Sequence, residues 1–401
     1  MSPQIILTSI ICFLIVVVEF GACFCSPLLP LIREDFLVDT TLIQMTFSFY
    51  LLGLGFSAMI YGPLSDSLGR RPLLLTGLGV FCFSSWACAW APSIYWLIGI
   101  RLLQGLGAGA AWTVSNGVVK DISTKQEYTK TMTVIHIIVG FVPAFAPILG
   151  SYFGAILGWR QGFLFIFALS CIALVLVGWR LGESLPKKKK LSVNGVLTSY
   201  FLLMKSPLLF RYMIVKVLMV MLLFVDASSL SLIFVETLHV QVIHFGYYAT
   251  LGFIGYLLGG WVCYRVVNRF GNDKLLSWGL GCVLIGNSIV SLIGFLGVES
   301  ALIFQVCRLP IYFGWGLIFG NATACIVAPF AESAGAASAM MIGLEMVFSF
   351  VGVFIMSLIY DGTIVPFSLL MIATTLLVFL GFYGLKKHKI ASIIEDTFKA
   401  D

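Results

Sequence analysis

The sequence predicts an all-α integral membrane protein of twelve transmembrane helices in two six-helix halves. Three observations carry this reading. The 401-residue chain is 60% hydrophobic and only 10% charged, with mean hydropathy +1.04, against roughly 25% charged residues in a soluble domain. A sliding window of about 19 residues separates twelve apolar stretches, and the second six repeat the punctuation of the first.

The first stretch, near 4–31, contains Glu19 and lacks a small-residue cleavage pattern after a short apolar core. It reads as a retained span, not a removed signal peptide. Five more follow near 40–61, 72–91, 94–119, 131–157 and 160–180, making 1–180 the N-terminal half. Residues 181–208 form a central loop holding LPKKKKLSVNG and the short apolar SYFLLMKSP, which is too brief to cross and suits the membrane face. The C-terminal half, 209–385, carries spans near 209–235, 243–266, 274–296, 300–322, 333–359 and 364–385, and 386–401 is a polar tail.

Charge fixes the expected orientation. Of the 24 Lys and Arg, Arg33 and Arg160 fall outside and Arg101, Lys216 and Arg308 within spans, leaving 19 on the side that holds both termini. The positive-inside rule makes that side cytoplasmic, and KKKK reads as a topology anchor in preference to a lipid-recognition patch. The net charge of +6 resides in these short loops, so nucleic acid is not an expected partner. Ten cysteines are scattered through apolar runs without metal-ligand spacing, Cys23 and Cys25 forming only a C-x-C. No metal or cofactor, no nucleotide loop and no soluble catalytic domain is indicated, so an enzyme is not expected.

The most specific segment is YGPLSDSLGRRP at 61–72. Gly62 and Gly69 permit tight turns, Asp66 supplies a carboxylate for a helix start or a guanidinium, and Arg70 and Arg71 anchor the loop inside. A degenerate counterpart, WVCYRVVNRFGNDK, lies at 261–274, placing Gly271 half a chain length beyond Gly69. RLLQGLGAGAA from Arg101 is similarly echoed by RLPIYFGWGLIFG from Arg308. Duplicated halves place a substrate cavity at their interface.

The loop at 61–72 resembles the cytoplasmic motif after the second span of the major facilitator superfamily. The resemblance covers essentially the whole chain. TLIQMTFSFYLLGLGFSAMIYGPLSDSLGRRP and HFGYYATLGFIGYLLGG extend it to the bicyclomycin-resistance branch of drug:proton antiporters. It implies the major facilitator fold and proton-driven efflux of small drug-like molecules or metabolites by alternating access. It further implies a monomer in the bacterial inner membrane, with the proton gradient in place of any cofactor. Gly62, Asp66, Gly69, Arg70 and Arg71 would then form the cytoplasmic gate. A specific metabolite transporter on the same fold, for example for a siderophore and working in either direction, is the nearer alternative; a non-transporting membrane sensor is the distant one.

Ionisable groups inside spans carry the functional expectation, because each costs several kcal/mol at mid-bilayer unless paired, hydrated or neutralised. Arg101 resembles the fourth-span arginine that the family ties to proton coupling; its alternative is a structural arginine bonding carbonyls of a neighbouring span. Gln104 shares its helix face, and Gly105, Gly107 and Gly109 permit a close helix approach. Glu19 is the candidate proton carrier, since carboxyls removed from water hold protons more tightly. The run FCSPLLPLI resembles the antiporter pattern, yet Cys23 stands where an aspartate is expected. Glu19, one turn earlier on the same face, would substitute or bind a cationic substrate. Asp226 in the seventh span is the leading C-terminal carboxylate and is expected to assist coupling. Arg308 and Glu345 read equally as a mutual structural pair or as transport residues. Glu19, Cys23, Gln104, Trp112, Asp226, Arg308 and Glu345 are the expected cavity residues. His136 reads as a core residue more readily than a relay. In the fifth span, Pro143, Pro147 and Gly150 predict a bent, hinge-like helix, which resembles the antiporter motif with Ala146 and Ser151 replacing two of its glycines. Phe20, Phe24, Tyr50, Tyr61, Trp112 and Phe224 read as packing or pocket aromatics.

Overall fold

The computed structural model describes residues 3–123, 131–132, 134–135, 138, 140–185, 188, 198, 200–201, 206–327, 329 and 334–384. Helices run α1 Pro3–Cys23, α2 Leu29–Phe36, α3 Thr40–Leu68, α4 Arg70–Ala89, α5 Ile94–Ile122, α6 Val142–Leu157, α7 Trp159–Arg180, α8 Pro207–Leu232, α9 Val242–Phe270, α10 Asn272–Phe295, α11 Ala301–Val327, α12 Ala334–Ile359 and α13 Ile364–Gly384. There is no strand among the described residues. Among the described residues eleven helical runs are long and apolar enough to cross a bilayer, the first of them formed by α1 with α2, and the shorter apolar α6 lies within the expected fifth span. Several expectations lie outside the described residues: His136 with positions 133, 137 and 139 of the same stretch, the lysine run apart from Lys188, most of SYFLLMKSP, and the tail.

Three differences from the expected boundaries have a physical reason. The first span is broken after Cys23, passes through a 3₁₀ turn over Ser26–Leu28 and resumes as α2. Pro27 and Pro30 lack the N–H groups that a continuous helix would use. The dozen-residue loop at 61–72 contracts to one residue, because α3 continues through Pro63 to Leu68 and α4 begins at Arg70. Gly69, with φ of +115°, makes that corner in a conformation open only to glycine at low cost. Gly271, at φ +77°, does the same between α9 and α10. Hydropathy marks where an apolar stretch ends, whereas these helices extend beyond it.

Two compact units are present. The first comprises Met1–Ser192, Phe224–Leu251 and Ile342–Thr363; the second comprises Val193–Leu223, Gly252–Met341 and Ile364–Asp401. In the first, α5 is the hub. Gly105 lies against the Tyr50 carbonyl of α3, while Gly107 lies against Phe81 of α4, so adjacent faces of one helix receive two neighbours. Lipid offers no hydrophobic drive for helices to associate, and small residues supply close packing instead. In the second unit, Gly314 of α11 approaches the Gly279 carbonyl of α10, and Trp315 is fully buried beside it. Trp90, Tyr95, Trp96, Trp179 and Tyr264 are exposed near helix ends, as interfacial aromatic belts are.

Candidate functional site

Arg101 lies deep in the first unit, 1% exposed. Its Nη1 donates to the Gly21 carbonyl of α1 at 3.0 Å and to Gln104 Oε1 at 2.5 Å, and Nε donates to the Thr46 carbonyl of α3 at 3.3 Å. Gln104 in turn donates to Ser85 Oγ of α4 at 2.8 Å. The guanidinium lies over the Tyr50 ring, 4.3 Å from its centroid, and Tyr50 Oη donates to the Val18 carbonyl. Arg101 therefore ties α5 directly to α1 and α3 and, through Gln104, to α4, while Arg101 at Gly21 and Tyr50 at Val18 pin the α1 backbone on either side of Glu19. The bonds to backbone carbonyls are of the kind the structural alternative describes, and Gln104, expected on the same helix face, is a direct partner of Arg101. Nη2 makes no hydrogen bond among the described residues.

Glu19 is held differently. Its Oε1 accepts one hydrogen bond, 2.7 Å long, from Trp112 Nε1 of α5. It belongs to a partly open stripe of α1 with Phe13, Val16, Phe20 and Cys23, while Leu14, Ile15, Val17 and Val18 are buried. The 3–4 residue spacing is one helix face, so Glu19 and Cys23 are neighbours on it as expected. Gln104, by contrast, is fully buried between Arg101 and Ser85, and Phe24 and Tyr50 are core residues. The break in α1 follows within one turn of Cys23, and there Ser26 Oγ donates to the Ala227 carbonyl, next to Asp226 of α8. Asp226 and Glu345 are both buried in the first unit. Gly150 of α6 lies directly on the Phe24 carbonyl at the break, and Pro147 is inside α6 with Pro143 in its first turn.

Arg308 belongs to the second unit and is completely buried. Its Nη1 donates to Gln305 Oε1 at 3.0 Å, and its guanidinium lies over the Phe304 and Tyr312 rings. An arginine and a glutamine three residues apart thus recur in α5 and α11 with their order reversed. Gln305 was legible only as that reversed spacing.

The loop at 61–72 builds an ion-pair cluster within the first unit. Arg70 Nη2 pairs with Asp66 at 2.6 Å, its Nε with Asp121 at 3.0 Å, and its Nη1 hydrogen-bonds to Ser65 Oγ. Gly117 of α5 makes room, since a Cβ there would stand 2.7 Å from the guanidinium carbon. Glu183 accepts from the backbone N–H groups of Arg70 (2.9 Å), Leu185 (3.1 Å) and Arg71 (3.3 Å). Burial acts to raise the Glu183 pKa, but these hydrogen bonds and the Lys188 charge outweigh it and hold the carboxyl below its ordinary value. Arg71 Nη2 donates to the Gly178 carbonyl at 2.9 Å. Sequence reading found Asp66, Arg70 and Arg71 but missed Asp121 and Glu183, which are remote in the chain. The second unit reverses the sign: after Gly271 comes an acid, Asp273, which accepts from Arg211 at 3.2 Å and Tyr212 at 2.7 Å.

No group of His, Cys, Asp and Glu suited to a metal ion occurs among the described residues. The geometry provides a multiply bonded buried cation, a part-buried carboxylate one turn from a helix break, and a charged clasp at one set of helix ends. Charged side chains inside span helices mark these positions as candidates for function.

Comparison with known proteins agrees. The chain is 34% identical over 170 residues to the "Uncharacterized MFS-type transporter YdgK" of Bacillus subtilis, covering 41% of this chain but only 42% of that protein. It is 24% identical to the "Bicyclomycin resistance protein homolog" of Haemophilus influenzae over 93% of this chain and 94% of that one. The fold superposes on the xylose transporter XylE from E. coli with a TM-score of 0.74, at 14% identity, covering 96% of this chain and 98% of the other. The family model described as Major Facilitator Superfamily matches residues 11–357, and the chain belongs to that superfamily of membrane transporters.

Proposed function

We propose that this protein is a proton-coupled antiporter that exports small drug-like molecules or metabolites across the bacterial inner membrane by alternating access. It acts as a monomer with both termini in the cytoplasm and uses the proton gradient without a cofactor. The observation that carries the reading is the unequal treatment of two charges in one helical cluster, with Arg101 held by several partners and Glu19, among the described residues, by one indole N–H.

A proton and a positively charged or hydrogen-bonding substrate compete for the Glu19 carboxylate. Ionised Glu19 accepts a charge-assisted bond from Trp112; protonation neutralises it and roughly halves that bond. Arrival of substrate displaces the proton, and reprotonation expels the substrate. Arg101 keeps α1 in register while this happens, because its partners are carbonyls that do not titrate. The break after Cys23, with Gly150 packed on it, gives α1 a place to bend, and Asp226 assists on the adjoining α8. Asp66, Arg70 and Arg71 brace the cytoplasmic ends through Asp121 and Glu183. Similarity over nearly full length to a bicyclomycin-resistance homologue supports drug-like cargo.

The test uses proteoliposomes with an internal pH dye and an imposed proton gradient, with antibiotics and siderophores added singly. Substrate-evoked proton movement opposite in direction to substrate, absent in Glu19→Gln, is the expected result. Movement in the same direction would replace antiport by symport. Proton movement undiminished in Glu19→Gln would remove Glu19 from the coupling step.

A further inference from the structure

A cleft of about 680 Å³ opens where the start of α4 meets the end of α7. Its walls include Arg71, Pro72, Leu75, Trp179, Arg180 and Glu183. Both helix ends lie on the side that collects 19 of the 24 basic residues, which is the cytoplasmic headgroup level.

The chemistry of the lining is graded. Pro72, Leu75 and the Trp179 ring, which is 74% exposed, supply an apolar wall. Arg71 and Arg180 supply two cations at the cleft's polar end, with the Arg180 guanidinium 4.4 Å from the Trp179 ring centroid. Arg71 spends Nη2 on the Gly178 carbonyl, but its buried Nε has no hydrogen-bond partner among the described residues. Glu183 is the lining's one acid, and its two oxygens are already engaged by three backbone N–H groups. Its charge is thereby committed to the start of α4. Beyond it the sequence adds four lysines at 187–190. The balance favours an anion whose other end is apolar.

We propose that this cleft is a binding site for an anionic phospholipid of the inner leaflet, its phosphate between Arg71 and Arg180 and an acyl chain against Leu75 and Trp179. A bidentate guanidinium is well matched to phosphate, and a juxtamembrane basic cluster attracts acidic lipid. Since Arg71 adjoins Arg70, the bound lipid braces the corner at Gly69. The inference stands independently of cargo and of transport direction.

Native mass spectrometry of the purified full chain tests it, with phosphatidylglycerol and phosphatidylcholine of the same acyl length added at equal dose. Retention of phosphatidylglycerol several-fold above phosphatidylcholine is expected, falling at least several-fold in the double variant Arg71→Gln with Arg180→Gln. Leu75→Trp, which fills the apolar wall and leaves both charges, is expected to reduce retention as well and covers the case in which the double variant fails to fold. Equal retention of the two lipids would overturn the proposal, as would unchanged retention in folded Leu75→Trp and double variants. Displacement of the lipid by an equal concentration of glycerol phosphate would also overturn it, identifying a site for soluble phosphate.

Discussion

Arg101 and Glu19 are both ionisable, both inside span helices of one unit, and both attached to α1 and α5, yet the structure treats them oppositely. Arg101 makes bonds to two backbone carbonyls and one glutamine, lies over the Tyr50 and Phe163 rings, and is buried from every side. Glu19 has one side-chain hydrogen-bond partner among the described residues and sits on a partly open helical stripe. The contrast separates two duties that a charge can have in a membrane. A fixed cation fastens helices, whereas a loosely held carboxylate is available to exchange partners.

The largest effect is expected from Arg101→Ala. It removes the guanidinium from the Gly21 carbonyl in the last turn of α1 and from Gln104 Oε1, and a buried acceptor left unsatisfied costs about 1–3 kcal/mol. A lower melting temperature in detergent and loss of coupled transport are expected together, with Arg101→Lys intermediate because an ammonium cannot span the same acceptors. Wild-type stability in Arg101→Ala would erase the contrast.

Glu19→Gln sharpens it from the other side. Among the described residues one hydrogen bond is altered, so melting should move by the equivalent of about 1 kcal/mol or less. Coupled flux should nevertheless be lost, while exchange of a neutral substrate persists. A third effect, smaller on binding than on rate, is expected from Asp66→Asn, which removes one of the two acids on Arg70. Substrate affinity in a binding assay should be retained and turnover impaired; normal turnover would show that the clasp is dispensable.

The smallest effect concerns Glu183. Its pKa is lowered in the folded protein, so its contribution to stability is present above the ordinary carboxylate range and is lost as pH falls through the folded value. Thermal melts of wild type and Glu183→Gln should therefore differ slightly at neutral pH and converge in acid. A difference that grows in acid would have the wrong sign.

What the sequence made legible follows from which signals are local. Glu19 and Arg101 stand out because charge is rare in apolar runs, and Gly69 because a glycine between helices marks a corner. Gly105 and Gly107 were readable as close-approach positions, although not which neighbour each would meet. The partners were hidden: Trp112 is 93 residues from Glu19, Glu183 is 113 from Arg70, and Asp121 is 51 from Arg70. Such pairings are set by how helices lie side by side. The break in the first span was signalled by Pro27 and Pro30, but overall hydropathy concealed it by running on through the turn.

The most direct test of the division of labour is proton release on substrate binding. Detergent-purified protein in weakly buffered solution with a pH dye is given a transported compound, and the released protons are counted per protein. Release in wild type and in Asp226→Asn, with none in Glu19→Gln, is the predicted result. Undiminished release from Glu19→Gln would contradict the account and assign the exchangeable proton to another carboxylate.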